Sequence, residues 1–203
     1  MIDLGKQRNT LAIGHIPPKC GRIQQARQTA RKQRMSHQEH RRLAATQTTA
    51  IPCAVLTISD SRSEATDESG QYIRTALTQA GHNVVQYAVV RDEPAQIVEM
   101  VRRFAAEGCK VIITNGGTGI SRRDSTFEAI DALLEKRLPG FGEIFRMLSF
   151  AEIGPAAMLS RATAGIIGGT LIFCLPGSPN AVRLGIDRLI LPELAHLVWE
   201  TVR

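Results

Sequence analysis

The sequence has no apolar run near the roughly 20 residues a membrane-spanning helix needs, and no continuous apolar stretch at its start that would read as a secretory signal. A cytoplasmic protein with no membrane partner is expected. Its four cysteines, Cys20, Cys53, Cys109 and Cys174, show no C-x-x-C spacing, and its five histidines are scattered, so a zinc site has no ligands to draw on. Three of the cysteines stand in or beside apolar runs and read as reduced core thiols. The sequence carries no Walker A motif, no G-x-G-x-x-G, no internal repeat, and no nucleophile paired with a general base. Acid is almost missing from the first 34 residues. Asp3 alone faces eight Lys and Arg there, which puts +7 in that segment and −1 in the remainder of a chain of formal charge +6. The basicity lies wholly in the N-terminal segment, so residues beyond it offer no nucleic-acid surface.

Residues 1–50 lack any sustained apolar period and read as a disordered extension, with at most a nascent helix around 22–43. Three readings of this segment stand side by side. It could be a basic tail that touches nucleic acid, acidic lipid or a partner. It could be a targeting peptide, or a dispensable extension whose sharper form has Met35 as the true start.

Residues 51–203 read as one domain. Ala54–Ile58 and Val84–Val90 are strand-like, and Val111–Thr114 is a β-branched run expected of a parallel strand covered on both faces. Between them, helices are predicted over 70–79, ending at Gly81, and from Pro94 to Gly108, with Ile73 and Leu77, and Ile97, Val101 and Phe104, on their apolar stripes. Ser125 and Glu128 form an S-x-x-E capping box that predicts a helix starting at Ser125. Leu138–Glu143 reads as a turn before a short helix near 144–150. Ala162–Ile167 and Thr170–Leu175, joined by Gly168-Gly169, read as a hairpin, and helices follow from Ser178 and Pro192. Strands alternating with helices predict an α/β fold, a mostly parallel sheet covered on both faces with an antiparallel edge hairpin.

In such a sheet, ligands bind outside the carboxyl ends of the strands. If the strands are parallel, the segments Ser59–Arg62, Arg91–Glu93, Asn115–Asp124 and Pro176–Asn180 share that edge. Gly116, Gly117, Thr118 and Gly119 form either a tight turn for packing or a phosphate cradle, and a helix N-terminus behind them favours the cradle. Asp92 and Asp124 are Mg²⁺-ligand candidates. Asp92 could instead supply a favourable charge to its own helix. Asp124, with Ser125 expected to cap, is free for other chemistry. Asp60 reads equally as a turn-former, Arg122 and Arg123 as phosphate contacts or solvated charges, and Ser178 as an N-cap whose amide could hold an anion.

These motifs carry a resemblance. Thr114-Asn-Gly-Gly-Thr-Gly-Ile-Ser-Arg-Arg-Asp-Ser-Thr126, Pro139-Gly-Phe-Gly-Glu143, Leu159-Ser-Arg161 and Leu175-Pro-Gly-Ser-Pro-Asn180 stand in the order and spacing of the MoaB/MogA family of molybdenum-cofactor biosynthesis proteins. Thr57-Ile-Ser-Asp-Ser-Arg62 is similar too, and the likeness covers about 52–203. The resemblance implies a three-layer α/β/α domain that assembles as a homotrimer or homohexamer and works beside other proteins of that pathway. It implies an adenylyltransferase that uses Mg²⁺ and ATP on molybdopterin, or a non-catalytic pterin-binding scaffold of the same pathway. The essential aspartates fall on Asp92 and Asp124, as catalytic and Mg²⁺-binding residues. Substrate contacts fall on Ser59, Asp60, Gly116, Gly117, Thr118, Gly119, Glu143, Ser160, Pro176, Gly177, Ser178 and Pro179. Where many relatives carry valine, threonine and proline, this chain has Ser125-Thr-Phe127.

Overall fold

The computed structural model describes residues 50–202. The basic segment, its expected nascent helix and the Met35 start lie outside them. The first three apolar runs form the strands β1 (Pro52–Ile58), β2 (Asn83–Val90) and β3 (Val111–Asn115). Helices α1 (Glu68–Gln79) and α2 (Pro94–Ala106) connect them. Then come α3 (Thr126–Leu133), the two-residue strand β4 (Lys136–Arg137) and α4 (Pro139–Ile153). A 3₁₀ turn (Gly154–Leu159) leads to the strands β5 (Thr163–Ile167) and β6 (Thr170–Leu175). Helix α5 (Pro179–Gly185) continues through a π turn (Ile186–Ile190) into α6 (Leu191–Thr201).

The strands make one sheet in the order β2-β1-β3-β6-β5-β4. Pairs β1·β2, β1·β3 and β3·β6 are parallel, and β5·β6 and β4·β5 are antiparallel. The parallel half is what the alternation of strands and helices dictates. Strands β1, β3 and β6 are buried on both faces, while the edge strand β2 is only half-buried, and that is why Val111-Ile-Ile shows no polar alternation. The turn between β5 and β6 places Gly168 at φ 53° and Gly169 at φ 81°, as a two-residue hairpin link demands. Two antiparallel strands follow the parallel set, where a single edge strand was expected. The extra strand, β4, spans Lys136 and Arg137, which are exposed and too short and polar to show a period.

Alternate side chains of each strand feed two cores. Cys53, Val55, Val111, Ile113 and Phe173 meet Ile73 and Leu77 of α1, Phe145 of α4 and the C-terminal helices. Ala54, Leu56, Ile112 and Cys174 meet Ile97, Val101 and Phe104 of α2 and Ile130 of α3. The result is a three-layer α/β/α fold. Each wholly buried Phe contributes on the order of 2–3 kcal/mol through desolvation. Phe173 also sets its ring edge-on to Phe141, with centroids 5.3 Å apart.

Helix α4 departs from the expected turn and short helix. Pro139 sits in its first turn, where a missing N–H costs nothing, and the Gly-Phe-Gly-Glu segment is already helical. Gly142 is needed there because a Cβ would press on the Ala162 carbonyl at 2.5 Å. Among the described residues no helix is long and apolar enough to cross a membrane.

Candidate anion-binding site

All four parallel strands end at one edge, so the four loops named from the sequence do come together. Contacts between them are direct. The Gly116 amide donates to the Leu175 carbonyl at 3.1 Å, prolonging the β3·β6 ladder into both loops. A Cβ at Gly177 would lie 2.9 Å from Gly116 Cα, so the second loop rests on the first. The Gly177 carbonyl accepts from Ser69 Oγ at 3.0 Å and from Arg62 Nη1 at 3.3 Å. Arg123, within the glycine loop, binds Asp60 of the β1 loop at 2.8 and 3.0 Å and Glu93 of the β2 loop at 2.8 Å. Three loops are thereby joined by one guanidinium. The Arg123 hydrogen bond holds the Asp60 carboxyl below the usual carboxylate range.

The glycine loop has its carbonyls turned inward. Gly117 O accepts the Thr126 amide at 3.0 Å, Thr118 O accepts Arg161 Nε at 2.8 Å, and Gly119 O accepts Arg161 Nη2 at 2.5 Å. The amides of Gly117, Thr118, Gly119 and Ile120 donate to no group among the described residues. Four successive N–H groups without a partner among the described residues, beside a helix N-terminus, are donors an anion can take up. Gly117 has φ 62°, and a Cβ there would overlap Thr126 Oγ1 and Asp92 Oδ2.

Asp92 is 6% exposed. Its Oδ1 accepts the Ser125 hydroxyl at 2.8 Å, the Ser125 amide at 3.2 Å and the Thr126 hydroxyl at 3.3 Å. This corrects the expected capping box. Ser125 occupies the N-cap position but makes no side-chain cap bond, and Asp92, from another loop, takes the Ser125 amide that Glu128 was expected to hold. Glu128, the other half of the expected capping box, turns to Arg161. A buried carboxylate offers an amide and two hydroxyls a stronger acceptor than a serine hydroxyl can, so the long-range partner wins.

Asp124 lies at the far end of the loop. Its Oδ2 accepts the Ser121 amide at 3.0 Å and would sit 2.6 Å from a Cβ at Gly119. Asp92 and Asp124 therefore abut loop residues two positions apart, a span of at most about 7 Å. Asp92 Oδ2 and Asp124 Oδ1 take no hydrogen bond from the described residues, which leaves one oxygen of each for a ligand. Among the described residues no three His, Cys, Asp or Glu cluster. An oxygen-only pair of carboxylates beside a phosphate cradle suits a hard ion such as Mg²⁺, which keeps waters and binds substrate phosphates as further ligands.

The other named residues fall into two groups. Ser59 Oγ accepts the amides of Ser61 and Arg62 at 3.3 and 3.1 Å, which fixes the turn after β1. Ser178 caps α5 by accepting the Ala181 amide at 3.3 Å, and Pro179 follows in the first turn. Pro176 links this cap to β6. Glu143, exposed on α4, and Ser160, half-buried after the 3₁₀ turn, make no side-chain hydrogen bond to the glycine loop. Arg161, next to Ser160, reaches the loop through the Thr118 and Gly119 carbonyls.

Several supporting residues escape sequence reasoning. Asp67 is fully buried, caps α1 through the Gly70 amide at 3.0 Å and accepts the Tyr87 hydroxyl at 2.9 Å. Asp67-x-Ser69-Gly70 at a helix start is a readable cap signal. Asn115 Nδ2 donates to Thr57 Oγ1 at 2.8 Å, while its Oδ1 is buried without a partner directly below the glycine loop. Arg161 stands immediately before a buried strand, and a charge in that position needs partners.

Comparisons with known proteins bear on the family and the fold. A family model described as "Probable molybdopterin binding domain" matches residues 54–196. The chain is 48% identical to molybdenum cofactor biosynthesis protein B of Bacillus cereus over 171 residues, covering 83% of this chain and 99% of that protein. Identity to the protein of the same name from Bacillus subtilis is 48% over 172 residues, covering 82% and 97%. A crystal structure of a molybdenum cofactor biosynthesis protein B superposes with a TM-score of 0.75 at 49% identity, covering 76% of this chain and 98% of that one. The tungsten cofactor synthesizing protein MoaB from Pyrococcus furiosus gives 0.71 at 37%, covering 77% and 99%.

Proposed function

Given that this chain belongs to the molybdopterin-binding family of molybdenum-cofactor biosynthesis proteins, we propose that it adenylylates molybdopterin with Mg-ATP. A phosphate oxygen of molybdopterin attacks the α-phosphorus of ATP, a new P–O–P bond forms, the α–β P–O bond breaks, and pyrophosphate leaves. The observation that carries the reading is the run of four unpaired amides, Gly117 to Ile120, flanked by Asp92 and Asp124. Such a reaction needs positioning and charge neutralisation and no nucleophile from the protein. The outward amides hold phosphate oxygens without any rearrangement. Mg²⁺ held by Asp92 and Asp124 would supply the neutralising charge. The N-terminus of α5, capped by Ser178, gives the second loop a partial positive charge for the other phosphate. Glu143 and Ser160 are assigned to the pterin side.

Incubation with molybdopterin, ATP and Mg²⁺ tests this, with adenylylated pterin and pyrophosphate as the expected products. Tight pterin binding with no turnover would replace it with the scaffold reading. Self-association as trimers or hexamers belongs to the same proposal. Its support is a row of exposed apolar residues, Ile144, Met147, Phe150 and Ile153 on α4 with Met158 and Leu159 after it, which a second copy would cover. Sedimentation of Met147→Glu should then show smaller species than wild type. A cytoplasmic setting suits both parts of the proposal.

A further inference from the structure

A loop that binds an anion through its amides must keep its carbonyls elsewhere. Left alone, a glycine-rich loop has no preference, since each peptide plane can turn over cheaply. Here two consecutive carbonyls, Thr118 and Gly119, are both held by the one guanidinium of Arg161. That guanidinium is held in turn. Glu128 takes Nη1 at 2.5 Å and Nη2 at 3.3 Å, and the Phe127 ring lies 4.9 Å beneath its Cζ. Phe127 and Glu128 ride on α3, the helix whose N-terminus adjoins the cradle. We propose that Arg161 is the positioning residue that holds the glycine loop in its anion-receptive form, with Glu128 and Phe127 holding Arg161. It touches carbonyls, and it acts on the ligand only by aiming the amides that share their peptide planes, those of Gly119 and Ile120, while the Thr126 amide on the Gly117 carbonyl sets the plane of Thr118. The fork geometry matters, because a lysine ammonium cannot meet two carbonyls and a carboxylate with fixed, coplanar donors.

This rests on the proposed phosphate-binding role of the loop, and the experiment separates the two. Titrate the full chain and its Arg161→Ala, Arg161→Lys and Glu128→Gln variants with Mg-ATP and with tripolyphosphate, and follow the backbone amide resonances of Gly117–Ile120. In Arg161→Ala, Kd for both probes should rise at least tenfold on the order of a lost charge-assisted bond pair. KM for ATP should rise more than kcat falls, and millimolar guanidinium ion should recover part of the affinity. Arg161→Lys should resemble Arg161→Ala, and Glu128→Gln should fall between it and wild type. If Arg161→Ala does not fold, Glu128→Gln carries the test. Unchanged affinity together with unchanged amide resonances in a folded variant overturns the proposal. If wild type binds neither probe, the phosphate reading fails, and the amide resonances alone decide whether Arg161 sets the loop.

Discussion

Asp92 Oδ1 accepts both the amide and the hydroxyl of Ser125, so a residue from the loop after β2 holds the N-cap residue of the helix that follows β3. The candidate ligand for a metal is also a structural tie between two loops. The two roles use different oxygens and can be separated by substitution.

Asp92→Asn keeps an oxygen to accept from Ser125 and loses the negative charge. It should fold with little loss of stability while adenylyl transfer falls on the order of 100-fold or more. Asp92→Ala removes the bonds to Ser125 as well and should lose about 2 kcal/mol in denaturant unfolding. Equal stability of the two variants would show that those bonds contribute nothing.

Asp124 supports one amide within its own exposed turn. Asp124→Ala should therefore cost under about 1 kcal/mol, with turnover reduced as severely as in Asp92→Asn. A loss of stability matching that of Asp92→Ala would assign Asp124 to the fold instead of the chemistry.

Gly117→Ala places a methyl against Thr126 Oγ1 and Asp92 Oδ2 at φ 62°. Backbone strain alone is about 1–2 kcal/mol, and the overlap adds to it. A melting temperature lowered by several degrees and loss of ATP binding are expected. A variant with wild-type affinity would contradict the cradle geometry.

The Arg161 hydrogen bond holds the Glu128 carboxyl below its ordinary value. Its folded pKa is depressed, so the stabilisation is complete above the unfolded glutamate range near about 4.3 and is lost as pH falls through the lower folded value. Carboxyl NMR titration should show Glu128 titrating below other exposed glutamates, and Arg161→Ala should return it upward. The same titration in high salt should bring Glu128 partway back, since the pair is partly exposed.

Burial pushes the Cys53 and Cys174 thiols up to about 12 and raises Cys109 as well. All three are free and buried. Alkylation at pH 8 should leave them unmodified in the native protein and label them only after denaturation. Rapid native labelling of any of the three would mean the core opens.

The parallel sheet and its loops were legible because periodicity and glycine placement act locally. Val111-Ile-Ile, Gly168-Gly169 and Ser178-Pro179 each state their element within a few residues. The site was legible only as a set of loops sharing an edge. What escaped were pairings over long sequence distance. Ser125 with Glu128 is a good local cap, yet Asp92 and Arg161, each 33 residues from its partner, outcompete it. Strand β4 escaped because two residues carry no period. Arg161 escaped because its meaning lies in carbonyls some 42 residues away, which no spacing rule records.

The central ladder pairs Val111 with Leu171 and Asn115 with Leu175. With α3, β4, α4 and β5 between them, those strands pair across 60 residues, so chain entropy opposes this closure about as much as that of Cys53 with Val111, 58 residues apart. Gly116 reaches the Leu175 carbonyl only at that moment. The cradle thus has no precursor in a half-folded chain. Recovery of anion binding during refolding should track the pairing of β3 with β6, and a chain stalled before it would bind nothing.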